Sequence, residues 1–225
     1  MTRDRSDNRR RFTSYSNPRI IIRDGKLYTV SESRESIYGE DVEKRNGQYE
    51  RHWEAKRNKL SGALISGLSD IQIRPGMNIL YLGASFGTGT SHLSDLSLPG
   101  KVYAVELAYE PFLKLLELAR SRTNVYPILD DANNPERYRP FVDRADLIYQ
   151  DISQRNQVQI FLRNSELFPE ARFAILVLKL RSITSSQSES KILEDSIKSI
   201  SSYKIDNVVN LGKFHKGHYL VTMHR

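Results

Sequence analysis

The sequence contains no cysteine among its 225 residues, which excludes disulfides, thiolate nucleophiles and cysteine-ligated zinc or iron–sulfur centres. Apolar residues make up only 39% of the chain, and the longest apolar runs fall far short of the ~20 residues that span a bilayer. The opening MTRDRSDNRRRF has no apolar stretch that would serve as a secretory signal. A soluble, intracellular protein is expected from these absences. Acidic residues are in deficit: 34 Lys and Arg stand against 27 Asp and Glu, a formal net charge of +7. That excess favours an anionic partner, nucleic acid first. The length suits one large domain, or one domain with a small appendage.

Residues 1–18 read as a basic flexible arm, with Arg3, Arg5, Arg9, Arg10 and Arg11 opposed only by Asp4 and Asp7. Two apolar-rich runs between 19 and 30 flank Asp24-Gly25, a strong hairpin signal. The polar stretch 31–51 has no clear period and is expected to form irregular connections. Residues 19–52 are therefore read as a small β domain, and 53–225 as the main one. In the main domain Leu60, Ala63, Leu64 and Leu68 predict a helix over 54–68. Strands are expected at 78–82, 101–106, 125–129, 146–150 and 172–179. Helices are expected at 91–98, at 111–122 with Phe112, Leu115, Leu116 and Ala119 on one face, and at 157–167. A Ser-rich loop over 182–190 precedes renewed helical period, and 207–211 with 218–223 form a closing antiparallel pair. Alternating strands and helices imply an α/β doubly wound domain around a mainly parallel sheet.

After the first of these strands comes Tyr81-Leu-Gly-Ala-Ser-Phe-Gly-Thr-Gly-Thr90. Glycines there let a backbone approach a ligand at the N-terminus of the next helix. Gly83, Gly87 and Gly89 do not have the dinucleotide spacing, and no Lys follows as a P-loop requires. Alone, the loop is weak evidence, since a tight turn is the competing reading. Glu106 ends the second strand, where a carboxylate accepts hydrogen bonds from both ribose hydroxyls of a nucleoside or simply caps the sheet edge. Asp131 follows the third strand and Asp151 the fourth. Ligands of open parallel sheets bind outside the carboxyl ends of the strands, so these acids converge with the loop on one crevice. The order glycine loop, acid, acid is that of an S-adenosylmethionine-dependent methyltransferase rather than a dehydrogenase.

Seven separated segments carry a resemblance: RNKL (57–60), ILYLGASFGTGTSHLSD (79–95), VYAVE (102–106), RTN (122–124), DDA (130–132), KLRSI (179–183), and Phe214 with His218. In this order they resemble fibrillarin, the box C/D RNA-guided 2′-O-methyltransferase, over about residue 49 to the C-terminus. The chain is similar to the short archaeal form. The resemblance implies a Rossmann-like methyltransferase fold, with a mostly parallel seven-stranded sheet, an antiparallel last strand and the small N-terminal β appendage. It also implies S-adenosylmethionine as cofactor, and no metal.

The resemblance further implies a catalytic set of Lys59, Asp151, Lys179 and His218. A ribose 2′-hydroxyl is a poor nucleophile and needs positioning and help in losing its proton. Lys179 is expected to receive that proton, oriented by Asp151, while Lys59 and His218 fix the hydroxyl and the adjacent phosphate. Gly83 and the pair Thr88-Gly89 are placed at the loop and methionine end, Glu106-Leu107 at the ribose and Asp131-Ala132 at the adenine. Asp151, Ile152, Ser153 and Gln154 are placed on the methyl side. The implied partners are guide RNA, target rRNA or tRNA, a Nop-family scaffold protein and a kink-turn-binding ribosomal-type protein. Without the resemblance, Lys59 reads as a solvated lysine, His218 as a hairpin histidine like His215 and His224, and His92 as packing for the second helix. Several positions depart from the family pattern. Phe86 stands for a small hydroxyl residue, Gly89 for the second of a Thr pair and Gly217 for an Asp. Ala55-Lys56 replaces Pro-Phe, and Glu170-Ala171 replaces a Gly pair. Two alternatives remain: a catalytically impaired structural subunit of the same particle, and a stand-alone methyltransferase acting on another substrate.

Overall fold

The computed structural model describes residues 15–225; most of the expected basic arm lies outside them. The first hairpin joins β1 (Ile20–Arg23) to β2 (Lys26–Ser31), and Asp24 and Gly25 between them both take positive φ, 50° and 73°. Two such residues give the turn whose twist matches that of the strands. Where irregular connections are expected, a second hairpin joins β3 (Val42–Arg45) to β4 (Gln48–His52) through Asn46 and Gly47. These strands, VEKR and QYERH, have almost no apolar alternation to read, because β4 buries a charge-paired Arg51 instead. The Asn46-Gly47 dipeptide was the legible signal. The four strands form one antiparallel sheet in the order β1-β2-β4-β3.

Helix α1 covers only Lys59–Ile65, not 54–68 as the apolar period predicts. The Asn58 side chain accepts the amides of Leu60 at 3.0 Å and Ser61 at 3.3 Å, so the helix starts there. The main sheet then alternates β5 (Ile79–Leu82), α2 (Thr88–Ser97), β6 (Val102–Glu106), α3 (Tyr109–Ser121) and β7 (Val125–Leu129). One turn of helix, α4 (Pro135–Tyr138), leads to β8 (Leu147–Gln150), α5 (Gln157–Leu167) and β9 (Phe173–Lys179). The expected 182–190 loop is partly helical: α6 (Leu180–Ile183) precedes it, and α7 (Glu189–Lys198) begins where Ser188 caps the Lys191 amide. β10 (Lys204–Asn210) and β11 (His218–His224) complete the order β10-β11-β9-β8-β5-β6-β7. The strands β7, β6, β5, β8 and β9 run parallel, and β11 is antiparallel to both β9 and β10.

One apolar core lies on each face of the main sheet. The first takes Ile20 and Leu27 of the small sheet and Trp53 into the same cluster as Leu93 and Leu115, so the two sheets share it. The α3 face turns out to centre on Leu115 and Leu118, with Leu116 40% exposed, because those two leucines close over Gly87. Helix α2 is buried on nearly every side, although seven of its ten residues are polar. The small sheet covers it and answers its polar groups: Asp95 accepts from Thr29 Oγ1 at 2.9 Å and Arg51 Nη1 at 2.8 Å, and ion-pairs with Arg122. Arg51 also pairs with Glu40. His92 contacts Thr29 Oγ1 at 2.9 Å and Tyr38 Oη at 2.6 Å, and stacks on Trp53, a packing histidine as its place in the helix suggests. Among the described residues, no helix is long and apolar enough to cross a membrane.

Candidate active site

The carboxyl ends of β5, β6, β8 and β9 lie along one edge of the sheet, and their registers bring Gly83, Glu106, Asp151 and Lys179 together. Gly83 has φ +81°, and a Cβ there would lie 2.7 Å from Ile152 Cγ2 and 2.8 Å from the Asp151 carbonyl oxygen. Only glycine allows β5 to leave the sheet so close to the end of β8. The loop turns again at Ser85, whose amide donates to Glu106 Oε2 at 2.8 Å while the Ala108 amide donates to Oε1 at 2.9 Å. Gly87, at φ +87°, then opens α2 with Thr88 and Gly89 in its first turn.

Asp151 is held between two cations. Lys59 Nζ, at the start of α1, lies 2.7 Å from Oδ2, and Lys179 Nζ, at the end of β9, lies 2.9 Å from Oδ1. Burial alone pushes the Asp151 pKa up, but Lys59 and Lys179 outweigh it and hold the carboxyl below its usual range. Lys179 Nζ also donates to the Asp151 carbonyl at 3.2 Å and to Ser153 Oγ at 2.8 Å. Two of the three donors of the ammonium are thus committed within the protein, and the carboxylate is met as an ion pair. His218 sits opposite Lys179 in the β11–β9 register. Its Nδ1 is buried without a partner. Burial lowers the His218 pKa first, Lys59 and Lys179 lower it further, and Asp151 opposes them. The imidazole is therefore neutral at pH 7.

Two cavities meet at this cluster. The first, about 300 Å³, is lined by Gly83, Glu106, Leu107, Ala132 and the run from Asp151 to Gln154. The second, about 250 Å³, is lined by Arg57, Lys59, Thr88 and Gly89 among others, and both share Asp151 and Lys179. Two of the expected residues line neither. His218 belongs to the cluster through its register with Lys179. Asp131 turns away from the first cavity: its Oδ1 accepts the Asn133 amide at 2.9 Å and Asn133 Nδ2 at 3.0 Å. Its neighbour Asp130 lines the cavity instead, near Arg137. A pair of adjacent aspartates gives sequence reasoning no means of choosing between them. Sequence reasoning also missed Tyr81 and Tyr149, which line the second cavity. In strands buried on both faces no alternation marks which side chain reaches a site. Phe86, 57% exposed, lines the second cavity rather than the core.

A family model described as Fibrillarin matches residues 20–225. The fibrillarin-like rRNA/tRNA 2′-O-methyltransferase of Thermoplasma acidophilum is 51% identical over 196 residues, 87% of this chain and 85% of that protein. Among solved structures, Aeropyrum pernix fibrillarin in complex with natively bound S-adenosyl-L-methionine superimposes with a TM-score of 0.80 at 34% identity, covering 88% of each chain. A fibrillarin/Nop5p complex gives a TM-score of 0.85 at 35% identity, covering 94% of this chain and 99% of that one. The match runs from the first hairpin through the glycine loop, the acidic strand ends and the last strand, and on it the chain belongs to the fibrillarin family.

Proposed function

We propose that this chain is an S-adenosylmethionine-dependent RNA 2′-O-methyltransferase, the catalytic subunit of a cytoplasmic box C/D ribonucleoprotein acting on rRNA and tRNA. One observation carries the reading: a carboxylate clamped by two lysines stands where two cavities meet, at the carboxyl edge of a parallel sheet. The residues present fit the cofactor. Gly83 lines the first cavity with backbone alone, and Glu106 offers carboxylate acceptors there. Glu106 and Leu107 would hold the ribose, Ala132 and the Asp130-Asp131 turn the adenine, and Thr88 and Gly89 the methionine end. Ile152, Ser153 and Gln154 would close the methyl side. When bound, S-adenosylmethionine supplies an electrophilic methyl group on a sulfonium sulfur.

The protein's own groups supply position and proton acceptance. Asp151 fixes both lysines and keeps them in the site. Lys179, held by its ion pair with Asp151 and by two hydrogen bonds to the Asp151 carbonyl and Ser153, keeps its third donor for the 2′-oxygen and is a holding group rather than a proton acceptor. His218 is the neutral imidazole of the set, its pKa lowered by burial and by the two lysines. We assign it the hydroxyl proton, in place of the role that the resemblance suggests for Lys179. Lys59 serves the adjacent phosphate.

The likeness to a fibrillarin/Nop5p complex supports a Nop-family scaffold as the partner. Guide RNA that selects the target by base pairing, and a kink-turn-binding protein, complete the proposed particle. A net charge of +7 suits phosphate contacts, and RNA affinity should fall as salt rises. The test is calorimetric titration of the chain with S-adenosylmethionine, with Glu106→Ala as control, followed by guided methylation with a Nop-family protein and guide RNA. Binding lost in the variant, and methylation only with partners, is the expected outcome. Methylation of free RNA without partners would favour the stand-alone enzyme. No binding in either setting would favour the structural subunit.

A further inference from the structure

Tyr81 lies within β5, 4% exposed, and faces Tyr149 of β8 edge-on with ring centroids 4.8 Å apart. Among the described residues, its hydroxyl has no hydrogen-bond partner, only charged and polar neighbours. A hydroxyl without a protein partner, on a residue that lines a cavity, is available to a ligand bound there. Tyr81 borders the second cavity, where Arg57, Lys59 and Lys179 outnumber Asp151. A Cβ built on Gly89 would lie 2.7 Å from Tyr81 Oη and 3.3 Å from two ring carbons. The tyrosine hydroxyl therefore fills the volume that a side chain at 89 would take, in the first turn of α2. Burial, then Asp151 and Tyr149, raise its pKa far above the usual value, so it stays a neutral donor at any working pH.

Resting on the methyltransferase reading, we propose that Tyr81 Oη is a cofactor-binding group that donates a hydrogen bond to the α-carboxylate of the methionine moiety. It acts from β5, where a hydroxyl side chain at position 89 would act from α2. A neutral donor among cations suits a carboxylate: the lysines and Arg57 supply the charge, and the hydroxyl supplies a direction that flexible cations do not.

The experiment is calorimetric titration of the wild-type chain and Tyr81→Phe with S-adenosylmethionine and with 5′-methylthioadenosine, which keeps the nucleoside and lacks the carboxylate. Tyr81→Phe should weaken S-adenosylmethionine roughly tenfold, the size of one hydrogen bond to a charged group. It should leave 5′-methylthioadenosine unchanged, and the melting temperature of the unliganded variant should not fall. Adding Gly89→Ser on that background should regain most of the affinity, because the ring oxygen no longer occupies the space. Equal affinity of wild type and Tyr81→Phe for S-adenosylmethionine, or equal loss for both ligands, would overturn the proposal. A wild-type chain that binds neither ligand would instead sink the methyltransferase reading on which it rests.

Discussion

At the scale of single residues, the roles of Lys179 and His218 separate by their pH response. The His218 pKa is depressed by burial and by the two lysines. An imidazole that accepts the proton is then competent at pH 7 and becomes protonated only as pH falls below about 6.5. Single-turnover methylation should therefore be flat from pH 7 to 8 and fall on the acid side, and His218→Gln should lower it by on the order of a hundredfold. If Lys179 were the acceptor, the rate would keep climbing above pH 8 and His218→Gln would leave that climb in place. The four members of the set were legible only because motifs fix their positions. Neither the periodicity around Lys59 nor the apolar run before Lys179 indicates that two strands and a helix start bring them to one carboxylate. Asp130 and Asp131 show the opposite case. The motif names the pair, yet which carboxyl faces the cavity is decided by a local turn through Asn133.

At the scale of elements, boundaries carry function. Lys59 is the first residue of α1, and Asn58 sets that start by accepting two amides. Asn58→Ala should cost about 1 kcal/mol of stability, as loss of a cap does. The first turn would fray and take Lys59 away from Asp151, so methylation should fall by more than the stability change explains. Thermal unfolding and single-turnover rates on the same variant check both halves; a full rate with a lowered melting temperature would refute the link. Apolar spacing predicted this helix five residues too early because the Leu and Ala positions that mark its buried face say nothing about where hydrogen bonding begins. Parallel strands were the most readable elements, their continuous apolar runs matching strands covered on both faces. The β3–β4 hairpin was the least readable, since its burial runs on paired charges.

At the scale of the whole molecule, the small sheet and the main sheet are joined by one apolar cluster and by the buried network of Arg51, Glu40, Asp95, Arg122 and His92. Burial first, then Arg51 and Arg122, depress the His92 pKa well below its usual value. A group with a depressed folded-state pKa contributes stability that is present above its unfolded value, about 6.5, and lost as pH falls toward the folded one. Unfolding free energy should therefore decline from pH 7 to pH 5, before the carboxylates of Glu40 and Asp151 begin to matter. In His92→Gln that decline should shrink, leaving the smaller contributions of His215 and His218. Urea titrations at a series of pH values measure it, and an unchanged slope in the variant would assign the acid sensitivity elsewhere.

The strand that is last in chain order, β11, does not sit at a border of the sheet but between β9 and β10. During translation every other strand emerges first, and β9 waits with one side open until residues 218–224 arrive to pair with it. A truncated polypeptide would leave the apolar run of β9 beside an uncovered edge, a surface that invites aggregation and degradation. It would also lack His218, which reaches Lys179 only through that final pairing. The proposed reaction centre therefore cannot assemble until residues 218–224 have paired with β9.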